Sequence, residues 1–89
     1  MMFRIDESMV EYDCENRIIV DIKNGHFYEL NDVAVTILNS LLNGKDFYDT
    51  TKLLSEVYEN VERNEALEDV DRFVRQLCEI GILVLVEET

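Results

Sequence analysis

The residues able to do chemistry in this chain are few. His26 is the only histidine, and Cys14 and Cys78 are the only cysteines. Together they could ligate a metal or build an activated thiol, but they lie on three separate segments with none of the short spacings that zinc sites use. No export signal accompanies the cysteines, so reduced thiols are expected. Glu68 and Asp71 form a carboxylate pair one helical turn apart, and on a helix that pattern reads as a solvated face. No G-x-G-x-x-G, no phosphate-binding G-x-x-x-x-G-K-[ST] and no G-x-S-x-G occurs. These residues predict neither an enzyme nor a bound metal or cofactor.

What remains is the chemistry of the main chain. His26 to Leu30 reads as a short strand in which Phe27, Tyr28 and Leu30 surround a single Glu29. Exposed edges are normally protected by lysine, proline or a bulge, and this strand has none of these. Its backbone N–H and C=O groups therefore invite another strand, unless Met9 to Asp13 or the run Ile82-Leu83-Val84-Leu85-Val86 covers them.

The elements that would position such an edge follow from local patterns. Met1 to Ser8 carries little periodicity and is expected to be a loose lead-in, followed by a short strand from Met9 to Asp13. Arg17 to Lys23 alternates, with Ile18, Val20 and Ile22 on one side and Arg17, Ile19, Asp21 and Lys23 on the other. Asn24-Gly25 predicts a type I′ hairpin into His26 to Leu30. Asn31 or Asp32 can cap a first helix with Val33, Ile37, Leu38, Leu41 and Leu42 at helical spacing, stopped by Asn43-Gly44. Asp46 can cap a second, with Phe47, Thr50, Leu54, Val57 and Tyr58 as its buried stripe, and Val61 is expected to plug the core after it. Asn64 can cap a third, running to about Ile80 and stopped by Gly81. Its apolar residues span about 160° of the wheel, wider than one neighbour needs. Leu67, Val70 and Val74 are assigned to the core, and Phe73, Leu77 and Ile80 to a flank beside Asp69 and Gln76.

Strands followed by helices define an α+β domain, here a winged-helix-like three-stranded antiparallel sheet followed by three helices. At 89 residues this is one domain, residues 1–89, burying roughly 60 to 65% of its unfolded surface. Hydrophobic residues at 47% and charged residues at 31% fit a globular protein. Twenty acidic against eight basic residues give a formal net charge of −12, which opposes nucleic acid and anionic membrane surfaces as partners. No apolar run is long enough to span a bilayer, and a cytoplasmic location is expected.

If the apolar flank of the third helix faces the open strand, the two form a groove with a hydrogen-bonding wall and an apolar wall. An extended peptide suits such a groove, because main-chain bonds supply affinity and alternate side chains fill pockets.

The set Phe27-Tyr28-Glu29-Leu30-Asn31, Ile37, Leu41-Leu42, Gly44, Leu54, Tyr58, Asp69-Val70, Phe73-Val74, Leu77 and Gly81-Ile82-Leu83 resembles the PqqD-like family. These are the precursor-peptide recognition elements of ribosomally made, modified peptides, and the resemblance covers about residues 8–85. It implies that a precursor leader peptide adds as a strand beside the third strand and lies against the third helix. Carried over by position, the strand wall is Phe27, Tyr28, Glu29 and Leu30, and the helix wall is Asp69, Val70, Phe73, Gln76 and Leu77. Arg72 and Arg75 are implied partners for an acidic leader residue. The quinone-cofactor branch typically carries a proline-glutamate pair before the third strand, where this chain has Ile22-Lys23-Asn24-Gly25. A stand-alone chain with an Asn-Gly hairpin looks more like the leader-binding protein of lasso-peptide pathways. Its implied partners are a transglutaminase-like leader protease and an asparagine-synthetase-like cyclase. The alternatives are a PqqD-type peptide chaperone of a quinone-cofactor or other modified-peptide pathway and, from another class, a winged-helix DNA-binding regulator.

Overall fold

A computed structural model describes residues 2–58 and 62–86, which leaves Val61 and the acidic end 87–89 outside the description. In chain order the elements are β1 (Met2–Ile5), β2 (Val10–Asp13), β3 (Ile18–Asp21), β4 (His26–Glu29), α1 (Asp32–Leu42), α2 (Phe47–Val57), α3 (Arg63–Glu79) and β5 (Leu83–Val86). The expected three-stranded antiparallel sheet is present, in the order β2-β3-β4, and the three helices follow it. The radius of gyration is 12.9 Å, close to the roughly 12 Å of a compact chain of this length. Among the described residues, no helix is long and apolar enough to cross a membrane.

The N-terminal segment is not a loose lead-in. Met2–Ile5 pairs antiparallel with β5, from Met2 opposite Val86 to Ile5 opposite Leu83, as a separate two-stranded sheet. Phe3 anchors it, its buried ring meeting Phe47 of α2 edge-on at 5.8 Å between centroids. This pairing employs the apolar run after Gly81 in a sheet separate from that of β4. The run therefore does not cover β4.

Both ends of β3 close in the same way. Asp13 accepts the backbone N–H of Asn16 at 3.1 Å and its side-chain amide at 2.7 Å. Asp21 accepts the same two groups of Asn24 at 3.2 and 2.8 Å. Each Asp-x-x-Asn turn is followed by one residue in the left-handed region, Arg17 at φ 56° and Gly25 at φ 69°. Only Gly25 of the Asn24-Gly25 pair has positive φ, so the hairpin is a four-residue loop between Asp21 and His26 rather than the expected type I′ turn. The Asp21 carboxylate supplies the acceptor that makes the longer loop favourable.

The core face of β3 carries Ile19 and Asp21, both buried, and Ile22 is exposed. Of the two faces that the alternation separates, the one with Ile19 and Asp21 turns to the core, and Ile18 and Val20 are half-buried on the outer one. Both faces of β3 are aliphatic, so alternation alone did not distinguish them. Beneath Ile19, the fully buried Leu38 and Leu41 of α1, Leu54 of α2, Ala66 and Val70 of α3, and Ile82 fill the centre. Each large aliphatic side chain removed from water contributes about 1.5–3 kcal/mol.

The helices start where side-chain acceptors allow. Asn31 accepts the Ala34 N–H and Asp46 the Asp49 N–H, each at 2.8 Å. α3 begins at Arg63 with Glu62 in the capping position and no side-chain cap, so Asn64 lies inside the helix. In α2, Thr51 is buried and donates to the Phe47 carbonyl at 2.7 Å, while Val57 is exposed, contrary to the expected stripe. In α3, Leu67 is 49% exposed and Leu77 only 5% exposed, which exchanges their expected places. Gly44 and Gly81, at φ 88° and 81°, end α1 and α3 as expected.

Candidate functional site

The site is built on the phase of the β3–β4 ladder. Leu30 N–H donates to the Arg17 carbonyl at 2.8 Å, and on the other side of β3 Ile22 N–H donates to the Met9 carbonyl at 2.8 Å. In an antiparallel ladder hydrogen-bonded pairs alternate with open pairs. With Ile19 opposite Tyr28 and Asp21 opposite His26, those pairs are bonded, and the pairs of Ile18 with Glu29 and Val20 with Phe27 are open. The backbone N–H and C=O groups of Phe27 and Glu29 therefore point away from β3. β4 pairs with β3 alone, and among the described residues no strand covers its other side.

The opposite edge of the sheet is better protected. On β2 the outward N–H of Val10 is occupied by the Asp6 carbonyl at 2.9 Å. Asp6 is itself fixed by the Ser8 N–H and hydroxyl at 3.1 and 2.6 Å. Those two bonds, the hydroxyl first, hold its carboxyl below the ordinary carboxylate range.

Side chains on β4 divide by face. Tyr28 and Leu30 are half-buried and pack against the core, and His26 stands edge-on to Tyr28 at 6.5 Å between ring centroids. Phe27 and Glu29 project from the outer face, and Phe27, at 68% exposure, is the most exposed large apolar side chain described. The strand-to-helix junction is held from β3: the carbonyl of Arg17 receives Leu30, and its guanidinium forms an ion pair with Asp32.

On α3 the proposed helix wall separates into two groups. Val70 and Leu77 are buried in the core. Phe73 is half-buried and packs against that core, leaving part of its ring accessible, and Asp69 and Gln76 are exposed. Arg72 lies 3.6 Å from Asp69, and Arg75 donates to Asp71 at 2.9 Å. Both arginines are therefore engaged within the helix. The accessible surface of the set is Phe27, Glu29, part of Tyr28 and Leu30, Phe73, Asp69, Arg72 and Gln76.

Two clefts open elsewhere, one lined by β1, the turn after it, Tyr12, Leu42 and Val84, the other along β2 from Glu11 to Asn16 with Ile18 and Val20. Neither includes β4 or α3, as expected of an edge, which offers a line of backbone groups and not a cavity. Beside the second cleft, Tyr12 donates to Asn39 Oδ1 at 2.7 Å, and Asn39 Nδ2 donates to the Cys14 sulfur at 3.3 Å. Burial, and secondarily Cys14, push the Tyr12 hydroxyl above its ordinary pKa, so it remains a donor that ties β2 to α1. Cys14 and Cys78 are free thiols. The paired Asp-x-x-Asn turns and the β1 pairing partner were the features that sequence reasoning missed. The turns had a readable signal in Asp13-Asn16 and Asp21-Asn24.

Residues 16–83 match the family described as coenzyme PQQ synthesis protein D (PqqD). The chain belongs to the PqqD family. Among solved structures, it is similar to a lasso peptide synthetase B1 complexed with the leader peptide. That match has 28% identity and a TM-score of 0.84, covering 96% of this chain and 100% of the other. A second structure, TbiB1 in complex with the TbiA(beta) leader peptide, shares the fold, with 19% identity and a TM-score of 0.78 over 99% of this chain and 100% of the other. No curated protein sequence matches this chain.

Proposed function

We propose that this protein captures the leader of a ribosomally made precursor peptide by strand addition to β4, and that it delivers the precursor to a leader protease and a cyclase in lasso-peptide maturation. The observation that carries this reading is the outward-pointing backbone of Phe27 and Glu29 on a strand with one neighbour. The similarity to a lasso peptide synthetase B1 complexed with the leader peptide supports it. No catalytic group is required of the protein. Delivery is an effective-concentration effect, in which holding the leader and the protease together keeps the scissile bond near the protease active site. The expected affinity is micromolar or tighter, about −8 kcal/mol or better.

The test is fluorescence anisotropy of labelled lasso-precursor leader peptides titrated with this protein. Saturable binding that weakens in Phe73→Ala, with helical circular dichroism retained, supports the reading. No saturable binding sinks it, and unfolding of Phe73→Ala assigns Phe73 to the core alone. The family description itself favours a second reading, a PqqD-type peptide chaperone in quinone-cofactor synthesis. The same titration with both leaders separates the two branches.

A further inference from the structure

The outer face of β4 restricts which strand can add to it. Phe27 and Glu29 are the two β4 residues whose backbone groups are free, and their side chains share one face of the sheet. An incoming strand bonds to those two backbones, so the residues opposite them also place their side chains on that face. Opposite Phe27, an incoming side chain extends a row that already runs Glu11, Val20, Phe27 across the three strands. Opposite Glu29, it extends the row Asp13, Ile18, Glu29.

These rows have distinct chemistry. Phe27 is 68% exposed and its cross-strand neighbour Val20 is half-buried, so the first row ends in an uncovered aromatic surface. Glu29 makes no ion pair or side-chain hydrogen bond among the described residues. Arg17, which flanks β3 beside this end of β4, is committed to Asp32. The acidic residues Glu11 and Asp13 stand on the same face, in a chain of net charge −12. Cross-strand neighbours prefer opposite charges and aromatic or β-branched partners, and like charges directly opposite are destabilising.

We infer that the strand recognised by β4 carries an apolar side chain opposite Phe27 and a lysine or arginine opposite Glu29, two residues apart, both on its outward face. An antiparallel addition, which continues the pattern of the sheet, puts the basic residue two positions before the apolar one. The residue between them places its side chain on the other face of the sheet, the core face that Tyr28 occupies. This rests on the docking reading above and adds the chemistry of its ligand: an extended segment with a basic residue and an apolar residue in alternate positions.

The experiment is selection of a phage-displayed library of random ten-residue peptides on the full-length protein, on Glu29→Lys and on Phe27→Ala. Both positions are exposed, and circular dichroism of each variant verifies the fold. The expected result is enrichment on the wild type of a basic residue two positions from an aliphatic or aromatic one. Glu29→Lys should select an acidic residue at the first position while keeping the second, and should bind the wild-type winners roughly three- to tenfold more weakly. Phe27→Ala should lose only the apolar preference. Amide protection in the complexes separates the layers of inference. If Phe27 and Glu29 amides become protected but the charge preference is the same on wild type and Glu29→Lys, the charge pairing is overturned and docking at β4 stands. If no peptide is enriched, or the enriched peptides leave those two amides unprotected, both are overturned.

Discussion

The Leu30 N–H and the Arg17 carbonyl meet at 2.8 Å, and this single bond sets the phase of the β3–β4 ladder. It turns the Tyr28 backbone inward and those of Phe27 and Glu29 outward. Native-state hydrogen exchange checks the assignment directly. In the free protein the amides of Tyr28 and Leu30 should exchange slowly, and those of Phe27 and Glu29 should exchange at rates close to those of an exposed loop. A reversed pattern would place the ladder one residue out of phase and turn a different pair of backbones to the open edge.

Arg17 occupies in the first Asp-x-x-Asn turn the position that Gly25 occupies in the second, with φ 56° against 69°. A residue with a Cβ carries a cost of about 1–2 kcal/mol in this region, which glycine does not. The Arg17–Asp32 pair is exposed on both sides and contributes at most about 1 kcal/mol. Arg17→Ala loses the pair and keeps the backbone cost, whereas Arg17→Gly loses the pair and removes the cost. Chemical denaturation should therefore find Arg17→Gly more stable than Arg17→Ala by about 1 kcal/mol, the reverse of the usual order of alanine and glycine. Equal stabilities, or alanine ahead, would show that the left-handed conformation is not maintained.

The two groups of α3 residues should separate in mutagenesis. Leu77 is 5% exposed within the core, so Leu77→Ala should lower unfolding free energy by about 2–5 kcal/mol through lost contact and a residual cavity. Gln76 is exposed and its side chain makes no hydrogen bond among the described residues, so Gln76→Ala should change stability by less than about 0.5 kcal/mol. Urea melts measure both. A leader-binding defect in Gln76→Ala would then report on docking, whereas one in Leu77→Ala would be inseparable from stability.

Much of this fold was legible because its determinants are local. Asn31, Asp46, Gly44 and Gly81 mark helix ends through groups only a few residues away, and the structure places all four in those roles. The pairing of Met2–Ile5 with Leu83–Val86 was not legible, since neither segment contains a signal for a partner at the other end of the chain. The same non-locality left open whether β4 was covered. On α3 the apolar arc was readable but its orientation was not: Leu67 and Leu77 both lie on the arc, and only the position of α2 and β5 decides that Leu77 turns inward. The candidate strand wall was legible as a segment, but its division into inward Tyr28 and outward Phe27 and Glu29 required the register.

The winged-helix-like architecture makes DNA binding a reasonable control. α3 exposes Glu65, Glu68 and Asp69 along with Arg72 and Arg75, and both arginines are paired within the helix. A helix entering a DNA groove needs uncommitted cations to replace phosphate counterions. A gel shift at low salt should show no retarded species with mixed-sequence duplex DNA at micromolar protein. A salt-sensitive complex would instead establish a basic face and remove the basis for excluding a regulator.

Acid should weaken the fold through its turns. Hydrogen bonds from Asn24, the side-chain amide first, hold the Asp21 carboxyl below its ordinary value of 3.8, and Asn16 acts the same way on Asp13. A carboxyl with a depressed folded pKa stabilises the native state above the unfolded value and loses that contribution as pH falls through the folded one. Stability should therefore hold as pH is lowered from neutrality to about 4 and decline below it as these groups bind protons. Asp21→Asn removes one titrating acceptor, so the variant should be less stable than the wild type at pH 7, with the difference narrowing towards pH 2. Denaturation midpoints measured across that range check the sign: a difference that widens on acidification would mean that the Asp21–Asn24 bonds do not favour the ionised carboxylate.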